Sequence, residues 1–176
     1  LASSELVTTD YVMQADNDDF LNFNGVDKIL RQLTNMNKDI GAGVVSNVLI
    51  KKNHFRHINF TYNLDYYVNN SLNAIHESFF DNYQPLFYSI FSKKIFKKIY
   101  NKIIKSDVYF LDNFEYLFTL LALKYSNPIK VNTNHYIRFI NTTSSSSLEF
   151  TKNKKNISSY EKDYEKMAHI LFDDKI

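Results

Sequence analysis

Three carboxylates lie close together near the start of the chain, at Asp16, Asp18 and Asp19. The run before them, residues 11–15, is mostly apolar and β-prone and stops abruptly at the acids. It is therefore predicted to be a short buried strand that delivers the acids to a crevice at its C-terminal end. Without a neighbouring Lys or Arg the carboxylates repel one another unless a divalent cation or backbone donors neutralise them. Oxygen ligands of this kind suit a hard ion, Mg²⁺ or Mn²⁺.

The same residues are also typical of an ordinary solvated turn, since Asp and Asn are frequent turn residues and helix N-caps. A calcium-binding EF-hand loop fits less well. Such a loop needs Gly at its sixth position and Glu at its twelfth, where this chain has Leu21 and Asp27. The acidic turn is thus either a cation-binding site or an ordinary solvated turn that joins a strand to a helix.

Composition limits the remaining classes. The 176 residues are enough for one domain with a real core. A formal net charge of +2 does not favour nucleic acid as a partner, and the absence of Cys excludes disulfides and thiolate metal sites. No signal peptide or apolar run of membrane-spanning length is visible, which agrees with a cytoplasmic location.

Hydrophobic periodicity predicts alternating helices and strands. Asn22 or Asn24 is the expected cap of the helix that follows the acidic turn, and Ser92 the cap of a later one. The expected helices are residues 24–35, 64–80, 93–105, 111–125 and a C-terminal tail over 158–171 that docks outside the core. The expected strands are residues 44–50, 58–62, 86–91, an edge strand at 129–131, and 136–139. The end of a further helix is expected at residues 3–8.

The segment from Thr8 to Leu21, reading TTDYVMQADNDDFL, resembles the DxD segment of family 2 glycosyltransferases of the GT-A type. The nearest likeness is to the bacterial surface-polysaccharide branch, and it continues more weakly through Ser144. The resemblance implies an α/β fold with a mixed sheet flanked by helices. It also implies that residues 1–150 are the C-terminal part of a GT-A domain without its N-terminal nucleotide-base pocket, followed by a helical tail at 151–176.

The function implied by this resemblance is metal-dependent transfer of a sugar from a nucleotide-sugar donor to an acceptor hydroxyl, with inversion. The pathway would be polysaccharide or glycan biosynthesis, with a glycan or a lipid-linked acceptor. In that assignment Asp16 and Asp18 hold Mn²⁺ or Mg²⁺ on the donor diphosphate. Asp19 shapes the turn or contacts the sugar.

Two acids at the start of the helix over 111–125 are candidates for the catalytic base. Asp112 and Glu115 would there complement the helix dipole, which is a sufficient structural reason for them. The resembling enzymes place their base in an E-D-x-E stretch at this point, and Asn113 stands here in place of the second acid. The base is therefore Asp112 or Glu115, with Asp112 favoured.

The strand over 136–139 resembles the closing strand of these enzymes with its Tyr–Arg pair. Arg138 is a donor-binding candidate, because a guanidinium fork matches a diphosphate. It could equally pair with an acid. His135 is a weaker ligand candidate, and His76 is more simply a structural histidine. The low-complexity run 142–147 is expected to be a loop that could close over the site.

Residues 93–105 form a basic amphipathic pattern, with apolar residues on one face and six Lys on the others. Most helices of this kind are surface helices whose apolar stripe packs on the domain. The alternative function for the chain is a non-catalytic module that binds a membrane or a partner through this helix. In an enzyme with a lipid-linked acceptor, the same helix would hold the protein at the inner face of the membrane.

Overall fold

The computed structural model describes residues 7–51, 54–61, 64–77, 86–106, 111–141 and 166–172. Six strands and six helices occur in these ranges. In chain order they are β1 (Tyr11–Met13), β2 (Phe20–Leu21), α1 (Phe23–Met36), β3 (Ile40–Lys51), β4 (His54–Thr61), α2 (Leu64–Asn69), α3 (Leu72–Glu77), β5 (Ile90–Ser92), α4 (Lys93–Ile104), α5 (Leu111–Tyr125), β6 (Ile129–Asn141) and α6 (166–172). A 3₁₀ turn at Leu86–Tyr88 precedes β5. The expected α/β class is confirmed.

The strands form one mixed sheet in the order β1-β5-β3-β6-β2, and β4 also pairs with β3. β3 and β6 run parallel, whereas the other pairs are antiparallel. Because β2 pairs with β6 at Phe20↔Ile137 and Leu21↔Tyr136, the acidic turn that precedes β2 lies beside β6. The sheet therefore brings residues from opposite ends of the chain together.

Helices cover both faces of the sheet. Ile90 and Phe91 are neighbours on β5 but belong to different buried clusters, since successive strand residues point to opposite faces. Ile90 packs with Ile29 and Leu33 of α1, whereas Phe91 belongs to the larger cluster that includes α4 and α5. This two-sided packing explains why both Ile90 and Phe91 are apolar.

α1 is fixed closely against β6. Asn22 is its N-cap and accepts a hydrogen bond from the Gly25 amide, and the Asn22 amide donates to the His135 carbonyl. A Cβ on Gly25 would lie 1.8 Å from the Asn134 carbonyl oxygen, so no other residue fits there without backbone movement. The expected cap at Asn22 is confirmed, and it ties the end of the acidic turn to β6.

Several expected elements differ from the structure. In place of the single helix expected over 64–80, the described residues 64–77 form two short helices, α2 and α3. Asn70 closes the first by donating to the Tyr66 carbonyl, and Ser71 begins the second by accepting from the Ala74 amide. The edge strand and the closing strand expected near the end of the chain are one continuous strand, β6.

The aromatic run over 86–91 is a strand only in its last residues. Leu86–Tyr88 is a 3₁₀ turn, because the Ser89 amide bonds back to the Leu86 carbonyl and the Leu86 amide donates to Thr119. Ser92 then caps α4 as expected, accepting from the Ile95 amide. Because of this turn, Tyr88 lies before the paired residues of β5 and is not part of the strand.

The described part of the C-terminal tail, residues 166–172, belongs to the main core and does not dock outside it. Met167, Ile170 and Leu171 of α6 are buried in the same cluster as α4 and α5. Lys124 donates to the Leu171 carbonyl at 2.6 Å, which ties this helix to the last turn of α5. The expected helix end near residue 3 and the loop over 142–147 fall largely or wholly outside the described residues.

Candidate functional site

The acidic turn follows β1, which is shorter than expected and ends at Met13. The Asp19 amide donates to the Asp16 carbonyl at 3.3 Å and closes the turn. Asp16 and Asp18 are exposed, whereas the Asp19 side chain is 3% exposed. The three carboxylates that look equivalent in sequence therefore occupy different environments.

Asp19 is held against β6. Its Oδ1 accepts a hydrogen bond from the Phe139 amide at 3.1 Å. Its Oδ2 is buried without a hydrogen-bond partner among the described residues, and lies 3.8 Å from Nε of Arg138. Burial raises the pKa of the Asp19 carboxyl above its ordinary value, although the Tyr136 hydroxyl, the Phe139 amide and Arg138 each lower it. Asp19 thus fixes the turn to the sheet.

Two stacked tyrosines hold Asp16. The Tyr88 hydroxyl donates to Asp16 Oδ2 at 3.0 Å, and the Asp16 amide donates to the Tyr136 hydroxyl at 2.9 Å. The two rings stack with centroids 4.8 Å apart. Burial raises the pKa of both hydroxyls, so both stay protonated at neutral pH. One tyrosine orients the carboxylate of Asp16 and the other fixes its backbone.

Arg138 brings a permanent positive charge to this cluster. Its guanidinium carbon lies 4.6 Å from the centroid of the Tyr88 ring, a cation–π contact. Burial alone lowers the pKa of Arg138, but Tyr88, Asp19, Glu115 and Asp16 outweigh it and the net shift is upward. The side chain is still 36% exposed, so the guanidinium can be reached from solvent.

Glu115 of α5 belongs to the same neighbourhood, since its charge acts on both Tyr88 and Arg138. Asp112 precedes Glu115 by three residues on α5. The side chain of Asp112 is outside the described residues. The choice between the two acids as base therefore stays a prediction.

His135 is buried inside the fold. Its Nε2 lies 2.9 Å from the Tyr88 carbonyl and its Nδ1 lies 3.2 Å from the Val44 carbonyl. Burial lowers its pKa, which favours the neutral ring. A neutral ring has one N–H and donates to one of these two carbonyls. His135 is therefore buried against the backbone beside the turn that carries Tyr88, and the expectation of a ligand role is wrong. The side chain of His76 is outside the described residues.

The structure thus brings together four of the predicted site residues, Asp16, Asp19, Arg138 and Glu115. Asp18 lies on the exposed side of the same turn. Sequence reasoning missed Tyr88, which it placed in a strand and gave no functional role. The only available signal was a Tyr beside a Phe in a buried run, and buried tyrosines usually have a hydrogen-bond partner for the hydroxyl.

Among the residues that the structure describes, no three His, Asp or Glu side chains form a ready-made cation cage. A smaller donor set is compatible with Mg²⁺, which is commonly bound through one or two carboxylates, substrate phosphates and water. The exposed carboxylates of Asp16 and Asp18 are of this kind, and Tyr88 orients the first of them.

Comparison with known proteins does not identify a family for this chain. No protein-family model matches the chain, and a search of curated proteins finds no match.

Proposed function

We propose that this chain carries the donor side of a sugar-transfer site of the GT-A glycosyltransferase type, family 2. The observation that carries the proposal is the convergence of Asp16, Tyr88 and Arg138 from three separate parts of the chain. The charge of Glu115 also acts on Tyr88 and Arg138. A fixed arginine beside exposed carboxylates suits a diphosphate bridged by a cation. The mixed α/β sheet is compatible with this fold.

In the proposed site, Asp16 and Asp18 would hold Mn²⁺ or Mg²⁺. When bound, the cation would stabilise the negative charge on the departing nucleoside diphosphate. Tyr88 keeps Asp16 in one orientation through its hydroxyl, and Tyr136 fixes the Asp16 backbone. Their role is to prevent reorganisation of the turn when the donor binds.

Arg138 is proposed to contact the donor diphosphate from the side of β6. Its guanidinium is already oriented by the Tyr88 ring and by Asp19, so little side-chain freedom is lost on binding. Its exposed part gives it access to an anionic ligand.

The acceptor hydroxyl must lose a proton as it attacks the sugar. Glu115 helps to raise the pKa of Arg138, which suits a role in stabilising the guanidinium. Asp112 lies one turn earlier on α5, and we assign it the role of general base. Glu115 is the alternative base.

The direct test is sugar transfer by the full-length protein with Asp18→Ala, using Mn²⁺ and a panel of nucleotide-sugars. Asp18 is exposed, so the variant should fold as the wild type does, by circular dichroism. Transfer should fall at least about 100-fold. Asp27→Ala removes an exposed carboxylate on α1 and should keep full activity. Undiminished transfer by Asp18→Ala would overturn the assignment.

A further inference from the structure

The helix α4 has a second surface that the proposed sugar-transfer site does not use. Its apolar residues are all directed into the core except Ile104, which is 47% exposed. The buried set is Ile95, Phe96, Ile99, Tyr100 and Ile103. The expected amphipathic helix is confirmed, but its apolar face is occupied by the protein itself. Insertion of that face into a bilayer would require the core to open.

The exposed surface of α4 is basic. α4 and its C-cap carry six Lys and no Asp or Glu. Lys94, Lys98, Asn101 and Lys105 are exposed at helical spacing and form one line along the helix, which we call the lysine line. The Lys98 ammonium also lies 3.8 Å from the centroid of the Tyr125 ring, a cation–π contact at the edge of the line. The line is about 16 Å long at 1.5 Å per residue.

Two of the lysines, Lys93 and Lys94, occupy the first turn of α4, beside the positive end of the helix dipole. The turn itself contains no acid, but the Asp39 carboxylate accepts a hydrogen bond from the N-cap Ser92 and supplies negative charge at this end. The fold therefore tolerates both lysines, and Lys94 of the two is exposed.

We propose that the lysine line docks this protein on an anionic membrane surface by electrostatic contact, without insertion of α4. A straight row of ammonium groups fits a flat array of lipid headgroups, and each Lys near such a surface contributes about a fivefold gain in binding. The exposed Ile104 next to Lys105 adds a shallow apolar contact.

The aromatic residues of α4 argue against single-stranded nucleic acid as the partner. Phe96 and Tyr100 are both buried, so the exposed line offers no ring on which bases could stack. The proposal does not depend on the sugar-transfer site. α4 packs beside the proposed site through its buried face, where Tyr100 contacts the side chain of Gln14, and the lysine line is on the other face of the helix.

The test compares two triple variants of the full chain in vesicle flotation. The first, Lys94→Gln/Lys98→Gln/Lys105→Gln, neutralises the lysine line. The matched control, Lys28→Gln/Lys38→Gln/Lys130→Gln, removes the same charge from exposed lysines on other elements. Vesicles contain phosphatidylcholine alone or with about 30% phosphatidylglycerol, at about 50 mM and 500 mM salt.

The wild type should bind the anionic vesicles at low salt and lose most of this binding at high salt. The line variant should bind about 100-fold more weakly, and the control less than about fivefold more weakly. Circular dichroism verifies that both variants are folded. Absence of wild-type binding, equal losses in the two variants, salt-independent binding, or a preference for an oligonucleotide over the vesicles would each overturn the proposal.

Discussion

The acidic turn has two sides that differ sharply. On one side Asp19 is buried, bonded to the Phe139 amide and near Arg138. On the other side Asp16 and Asp18 are exposed, with the first oriented by Tyr88. One carboxylate thus builds the turn, and two remain for a ligand. The three neighbouring acids therefore do not share one role.

The difference shows how a fold makes an exposed carboxylate rigid. Asp16 is exposed, but both its amide and its carboxylate are bonded to buried tyrosines. Those tyrosines are fixed in turn by their stacking and by β6. The exposed side of the turn therefore depends on the buried side for its geometry, and substitutions on the two sides should have separable effects.

The largest effect is expected from Asp19→Ala. This change removes the acceptor of the Phe139 amide and the nearest carboxylate to Arg138, so the free energy of unfolding should fall by about 2–3 kcal/mol. Asp18→Ala, one residue earlier, should leave the free energy of unfolding unchanged. Urea denaturation of both variants measures the difference. If Asp19→Ala and Asp18→Ala lowered the free energy of unfolding equally, the structural role assigned to Asp19 alone would be contradicted.

A smaller effect is expected from Tyr88→Phe, which keeps the stacked ring and removes only the hydroxyl. Loss of a hydrogen bond to a carboxylate should lower the free energy of unfolding by about 1.5 kcal/mol. The paired variant Tyr136→Phe removes the acceptor of the Asp16 amide instead. Amide hydrogen exchange at Asp16 should therefore be faster in Tyr136→Phe and unchanged in Tyr88→Phe. The reverse pattern would contradict the assigned bonds.

The smallest effect is a pH dependence. The pKa of Asp19 is raised in the folded protein above the ordinary 3.8, so the folded state binds this proton more tightly than the unfolded state. Its contribution to stability is full below pH 3.8 and is lost as the pH rises through the raised pKa. Asp19→Asn should therefore gain stability relative to wild type over that interval, measured by urea denaturation. If the wild type instead gained stability relative to Asp19→Asn over that interval, the pKa of Asp19 would be lowered in the folded protein.

The sequence was sufficient where local patterns decide the structure. Helical spacing identified α1, α4 and α5, and the caps at Asn22 and Ser92 followed from residue type. The break between α2 and α3 was also readable, because an Asn followed by Ser can end one helix and start another. Helical periodicity in the longer stretch obscured it.

Tertiary contacts decided the rest. Whether Asp19 is buried depends on the pairing of β2 with β6, which joins residues more than 100 positions apart. Tyr88 gained its role only because a 3₁₀ turn takes it out of the strand run and places its hydroxyl on Asp16. The lysines of α4 were visible in sequence, but only the packing of the helix showed that its apolar face is already buried.

The measurement closest to the central claim is calorimetric titration of the chain with Mn²⁺ and a panel of nucleoside diphosphates. Asp18→Asn is the test variant, and Asp27→Asn is the control for an exposed carboxylate elsewhere. Nucleotide binding is expected to require both Mn²⁺ and Asp18 and to be kept in the control. Binding that is indifferent to the metal or to Asp18, or the absence of binding, would contradict a donor site at the acidic turn.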